Sequence, residues 1–267
     1  MNTEEIEPKV TEYQGNGCIV TKMNDPSILL EVRKLIDSHF NASTSTYLEM
    51  TKNEFQDYAI KCQEKLQSLQ VQNELIKSDR PLISSILGGR NVFHESICFL
   101  RAVRPMSPNV GIEAPDFHRE TFYSDHPETT KLVLNTWIPI LNVNDSNTLQ
   151  YVPKSHLIPD EDIHREYDES YPGKVDKFSS GHKMGFFWKP KKIVSGIDLS
   201  HPSKMHFPPE LGYYAAFSSM TIHGGANNFS DKIRFVIGFG LINGDRMPEN
   251  KNFFAAGGID HFIPATA

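Results

Sequence analysis

The feature that most constrains the fold is a change of period near residue 91. From there to about residue 242 the apolar residues fall into short runs: "ICFLRAVRP", "KLVLNTWIPIL", "TLQYVPKSH", "YYAAFSSMTIH" and "KIRFVIGFGLI". Each is rich in β-branched and aromatic residues and is bounded by Gly, Pro, Asn, Asp or Ser. Short strands at this spacing predict an antiparallel sandwich or barrel.

Ahead of the change the period is helical. In "PSILLEVRKLIDSHF", residues 26–40, the side chains of Ile28, Leu29, Val32, Leu35 and Ile36 share one face, with Asp25 placed to cap and Pro26 suited to a first turn. A second helical region runs through about 52–78, and "PLISSIL" after Pro81 reads as a new helix stopping at Gly88-Gly89. Residues of about 1–90 are thus expected to be mainly helical and about 91–245 to form the sheet core. Residues 157–210, polar and containing histidines and prolines, are expected to be an irregular excursion over a site mouth.

A chain of 267 residues with 39% hydrophobic and 22% charged residues can bury a substantial core, so one domain, 1–267, is expected. Cys18, Cys62 and Cys98 are widely separated with no C-x-x-C, which indicates neither a disulfide framework nor a thiolate zinc site. A net charge of −6 argues against a nucleic-acid or anionic-membrane partner. "MNTEEIEPKVTEYQ" has no apolar core for a signal peptide, and no later run reaches the roughly 18 apolar residues that span a bilayer. The expectation is a cytoplasmic protein, monomer or homodimer, acting on a small molecule.

In "PDFHRETFYSDHPE" the side chains of His118 and Glu120 would share a face if the chain is extended there, with Arg119 directed elsewhere. The pair reads either as a solvated strand end or as two ligands of a metal, and a further His would complete a 2-His-1-carboxylate set. His223 is the candidate: it ends one apolar run and is followed by Gly224-Gly225, an Asn/Ser/Asp turn and a second run, a hairpin-like unit. On the returning run Arg234 shares a face with Val236, Gly238 and Gly240, while Ile233, Phe235, Ile237 and Phe239 take the other. A cation among small residues suits a cavity for an anionic ligand, since a buried arginine is costly unless a carboxylate pairs with it.

His-x-Glu, a gap of about 100 residues, His, then Arg eleven residues on: this order resembles the iron(II)/2-oxoglutarate oxygenases of the phytanoyl-CoA dioxygenase-like family. "FLRAVRP", "LVLNTWIPI" and "TLQYVPKSH" resemble further family segments in the same order, so the similarity covers roughly 95–243. The resemblance implies a mostly β fold, a double-stranded β-helix (jelly roll, cupin-like) with helices packed on one sheet. It implies that His118, Glu120 and His223 bind iron(II), and that Arg234 takes the distal carboxylate of 2-oxoglutarate. Trp137 matches an aromatic beside the co-substrate and reads equally as a core indole; alternation would put Lys131, Val133 and Asn135 on its face.

The implied reaction couples dioxygen and oxidative decarboxylation of 2-oxoglutarate to hydroxylation of an unactivated C–H bond. Glu120 stands where Asp is more frequent, one methylene longer, and the presence of a carboxylate disfavours halogenation. Arg101, Arg119 and Tyr123 are candidate substrate-binding residues in a polar, partly cationic neighbourhood that also holds Arg104 and His126. That suits a sugar, phosphate or carboxylate-bearing metabolite. His156 is expected to brace a turn, and His164, His182, His201 and His206 read as surface residues or lid contacts. Two rivals use the same residues: a zinc hydrolase, and a jelly-roll module that binds a ligand without catalysis. Desaturation, epimerisation and ring formation stay open within the oxygenase class.

Overall fold

Helix α1 (Thr3–Asn16) leads into strand β1 (Cys18–Lys22), followed by α2 (Ser27–His39), α3 (Thr44–Leu48), α4 (Lys52–Leu66) and α5 (Val71–Leu87). The computed structural model describes residues 3–108, 110, 113, 116–122, 124, 127–167, 191–247 and 262–266. Asp25 does accept from an amide, Ser27 N–H at 3.0 Å, but Pro26 occupies the cap position of α2. Thr51 and Glu54 form a reciprocal capping box at the start of α4.

The single helical region expected over 52–78 is two helices. After Leu66 the chain tightens into a 3-10 turn, Gln67–Leu69, where the Gln67 side-chain amide donates to the Cys98 carbonyl at 2.9 Å and accepts from the Cys98 N–H at 2.9 Å. Gln70 then turns left-handed, with φ 52°, and α5 restarts. This helix bends at Asp79, passes Pro81 and ends at Gly88, where φ is 68°, a conformation that costs glycine nothing.

The strands are all antiparallel in their pairings. An eight-stranded sheet runs β1, β9 (Tyr213–Ser218), β4 (Leu134–Leu141), β12 (Gly240–Asn243), β2 (Val92–Glu95), β13 (Phe262–Pro264), with β11 (Arg234–Gly238) on the far half of β4 and β3 (Phe99–Val103) beyond it. A three-stranded sheet contains β10 (His223–Gly225), β5 (Leu149–Tyr151) and β8 (Ser203–Lys204). The front of the chain is therefore not all helix, because β1 completes the large sheet against β9.

Two further expectations are corrected. "YYAAFSSMTIH" is not one strand: a turn closed by Thr221 N–H to Ser218 C=O, 2.8 Å, ends β9 and sends His223 into the opposite sheet. His223 and Arg234 consequently do not form a hairpin, since β10 pairs with β5 while β11 pairs with β3 and β4. The excursion is also partly regular, with β6 (His164–Tyr167) paired to β7 (Lys191–Ser195).

Side-chain alternation divides the large sheet into two faces. On the outer face Ile19, Leu100, Leu134, Ile138, Tyr214, Ala216, Phe235 and Ile237 pack against Leu29, Val32, Phe55, Leu66, Leu75 and Ile83 of the helices. On the inner face Cys18, Trp137, Ala215, Phe217 and Val236 meet Leu149 of the small sheet and Met205, which follows β8. Arg101, Asn135, Trp137 and Arg234 stand on this inner face.

Candidate metal centre

His118 and His223 are joined as an antiparallel bridge: each backbone N–H donates to the other's carbonyl at 2.9 Å. Residues opposed in this way carry their side chains on one side, and the ring centroids lie 4.5 Å apart. Glu120 is not on a strand with His118 as alternation supposed. Its N–H donates to the Ser219 carbonyl at 3.1 Å and it opens a 3-10 turn, Glu120–Phe122, which carries the carboxylate back under the two rings. Glu120 Oε1 lies 3.5 Å from His223 Nε2 and 3.8 Å from His118 Nε2. One ligand atom from each residue falls within 4.8 Å of the others.

The tautomers are fixed from behind. His118 Nδ1 meets the Asp116 carbonyl at 2.6 Å, and His223 Nδ1 meets the Thr221 carbonyl at 2.9 Å. A carbonyl only accepts, so both Nδ1 atoms carry the proton and both Nε2 lone pairs face Glu120. Burial, then the neighbouring His223, lower His118 to about 4, so its ring is neutral at physiological pH. Burial raises Glu120, but His223 and His118 in their protonated forms and the Arg101 guanidinium outweigh it and lower it below the usual carboxylate range, so the group is a carboxylate at physiological pH. Two lone pairs and a carboxylate converging on one point repel one another, and a divalent cation turns that repulsion into coordination. The donor set, two nitrogens and an oxygen, fits iron(II) with positions left open.

Arg234 lies deep on the inner face, paired in register with Val103. Its Nη1 donates to the carbonyls of Asn147 and Ala226, the latter at 3.0 Å, and its Nε has no partner. Among the described residues no carboxylate pairs with it, and burial pulls its pKa down to about 10. Asn135 Nδ2 is likewise buried without a partner on the same face. A buried cation without a carboxylate partner among the described residues fits an acidic ligand, and the Asn135 amide, at the other end of β4 beside Phe217, is a separate unsatisfied donor on that face.

Trp137 joins the inner cluster, its ring 5.2 Å from Phe207. Lys131 does not share its face: β4 begins only at Leu134, and the exposed Lys131 ammonium pairs with Glu128. Arg101 stands on the inner face, solvent-exposed, close enough for its charge to act on Glu120. Arg119 points away from the metal ligands, fully buried. It donates to Asp160 at 2.6 Å and to the Ser155 carbonyl, which removes it from the substrate-facing residues. Arg104 is a second brace, bonded to Glu113 and to the carbonyls of Tyr47 and Met50. Tyr123, His126 and His182 lie outside the described residues.

His156 does brace a turn, with Nε2 3.0 Å from the Gln14 carbonyl. A Cβ at Gly17, where φ is 81°, would come within 2.5 Å of that imidazole and of Thr221 Oγ1, so only glycine lets β1 pass. Residues that sequence reasoning missed sit behind the site. Ser155 Oγ accepts from Ile222 N–H at 2.8 Å. Asn147 Nδ2 donates to Asn228 Oδ1 at 3.0 Å, holding the carbonyl that Arg234 uses. The Pro-x-Ser-His turn was the one available signal, and it pointed at His156 in place of Ser155.

Two facing antiparallel sheets, helices on one outer face and a His, Glu, His cluster inside define a jelly roll with a candidate metal centre. Solved structures share that fold at low identity. The carbocyclase SnoK from nogalamycin biosynthesis, described as non-haem and alpha-ketoglutarate-dependent, is 15% identical with a TM-score of 0.54, over 100% of this chain and 97% of that one. EvdO2 from Micromonospora carbonacea var. aurantiaca is 13% identical with a TM-score of 0.54, over 96% and 97%. The epimerase SnoN, in complex with Fe3+, alpha-ketoglutarate and nogalamycin RO, is 14% identical with a TM-score of 0.51, over 100% and 97%. The chain belongs to the phytanoyl-CoA dioxygenase (PhyH) family, whose profile matches residues 25–236. No curated protein sequence matches it. Among the described residues no helix is long and apolar enough to cross a membrane.

Proposed function

We propose that this protein is an iron(II)- and 2-oxoglutarate-dependent dioxygenase that hydroxylates an unactivated C–H bond of a small polar metabolite. The observation that carries the reading is the presence of two unsatisfied features between the same two sheets. The Nε2 lone pairs of His118 and His223 converge with the Glu120 carboxylate, and an inner guanidinium, Arg234, has no carboxylate partner among the described residues.

His118, Glu120 and His223 would hold the metal through Nε2, a carboxylate oxygen and Nε2, the Nδ1 bonds keeping both rings in place. Iron(II) with a bound 2-oxo acid supplies the oxidising power for C–H cleavage through dioxygen. Arg234 would pair with the far carboxylate and orient the co-substrate. Trp137, Phe217 and Val236 make that wall apolar and exclude water from the reacting face. Arg234 favours this reading over a zinc hydrolase, which needs no buried carboxylate clamp, and the convergent His118, Glu120 and His223 donors favour it over a module without catalysis. SnoN and SnoK are named an epimerase and a carbocyclase, so stereochemical inversion or ring closure are alternative fates of the same cleaved C–H bond.

The test is anaerobic loading with iron(II) and 2-oxoglutarate, then air, with succinate followed against a protein-free control. Succinate formation that His223→Ala abolishes is the expected result. Succinate no higher than the control would sink the proposal.

A further inference from the structure

Among the arginines of the inner face, Arg101 alone in the described residues combines exposure with the lack of any hydrogen-bonding or ionic partner. It lies mid-strand on β3, opposite Val236 of β11, and Val236 is fully buried in the inner cluster. Arg101 therefore projects into the space between the sheets, its guanidinium 5.4 Å from the Phe99 ring centre. Arg104 and Arg119, by contrast, are buried in salt bridges, and Arg234 is held by two carbonyls. The nearby carboxylates face other groups: Glu120 Oε1 lies against the two imidazole Nε2 atoms where a metal would sit, and Glu95 accepts from the Gly240 N–H at 2.6 Å.

Arg101 and Arg234 are not redundant. Arg234 opposes Val103 and Arg101 opposes Val236, so they stand two residues apart along neighbouring strands, about 7 Å at strand rise. Two cations that close on one wall repel, and the arrangement is relieved when each meets its own anion. If 2-oxoglutarate occupies Arg234, the second anion must come from another molecule.

We infer that Arg101 is a specificity residue for the prime substrate, which carries an anionic group, a carboxylate or a phosphate monoester, that pairs with this guanidinium while its reacting carbon faces the His118, Glu120, His223 centre. The inference rests on the function proposed above. It makes neutral sugars and bare hydrocarbon chains poor substrates.

The test uses two anionic fragments, acetate and methyl phosphate, titrated calorimetrically into protein loaded anaerobically with iron(II) and saturating 2-oxoglutarate. Saturable binding of one fragment is expected, weakened at least tenfold in Arg101→Gln and partly restored in Arg101→Lys, and which fragment binds tells carboxylate from phosphate. The absorption band formed by iron(II) and 2-oxoglutarate should keep its 2-oxoglutarate midpoint in Arg101→Gln. Binding of neither fragment, binding indifferent to Arg101→Gln, or a 2-oxoglutarate midpoint shifted as far as fragment binding would each overturn the assignment. The last outcome would place Arg101 on the co-substrate. Absence of the 2-oxoglutarate band in the wild-type protein would instead contradict the parent proposal.

Discussion

At the scale of single residues, the candidate centre depends on which nitrogen each histidine leaves free. Backbone carbonyls fix the proton on Nδ1 in both rings, so the ligand atoms are preset and Glu120 is their common neighbour. Arg234 is preset in the same way by the Asn147 and Ala226 carbonyls. Removing one partner of a buried charge pair costs about 2–5 kcal/mol. Arg234→Ala is therefore expected to raise the 2-oxoglutarate dissociation constant about 30-fold or more while iron affinity stays near wild type, read by parallel titrations with metal and co-substrate. The four residues of this set were legible because their order along the chain matches a family pattern. Ser155, Asn147 and Asn228 were not, because each acts by a hydrogen bond to a neighbouring backbone or amide group, and such bonds leave no spacing in a sequence. Arg119 misled for a related reason: its charge is visible, whereas its burial against Asp160 depends on a turn far along the chain.

At the scale of elements, the short turn Ser155–Leu157 ties both ligand-bearing segments together. The Ser155 hydroxyl receives the Ile222 N–H and its carbonyl receives Arg119. Ser155→Ala would leave a buried N–H unpaired, at about 1–3 kcal/mol. A melting temperature lower by several degrees, together with weaker iron binding, is expected from scanning calorimetry and metal titration.

Helix α5 offers a pH-dependent counterpart. Burial raises the pKa of Asp79 at the helix bend, where its carboxylate accepts from the Asn24 N–H at 3.2 Å. The native state thus holds this proton more tightly than the unfolded chain, whose carboxylate titrates near about 4. Stability falls as pH rises from there through the raised native value, then levels off. Asp79→Asn lacks this term, so its melting temperature relative to wild type should climb across that window; a pH-independent difference would count against it. Helix and strand content was readable from period, but the break at Gln70 and the parting of β9 from β10 were not. The second reflects the pairing of β10 with β5, a partner distant in sequence.

At the scale of the whole molecule, the large sheet separates two tasks. One side chain in two faces the helices and builds stability; the next faces the small sheet and builds the site, as Phe235 and Ile237 do against Arg234 and Val236 on β11. Leu75→Ala, within the helical layer, should cost about 2–5 kcal/mol in denaturant unfolding and leave the 2-oxoglutarate midpoint unchanged; a shifted midpoint would mean the faces are coupled. The alternation that defines these faces was present in "KIRFVIGFGLI", which is why the division was legible before any fold was.

The most direct measurement is an anaerobic titration of 2-oxoglutarate into protein holding one equivalent of iron(II), followed by visible absorption. A saturable charge-transfer band is predicted, absent in His118→Ala and displaced to much higher 2-oxoglutarate in Arg234→Ala. Iron that fails to bind stoichiometrically, or a spectrum that 2-oxoglutarate leaves unchanged, would contradict the assignment of this centre.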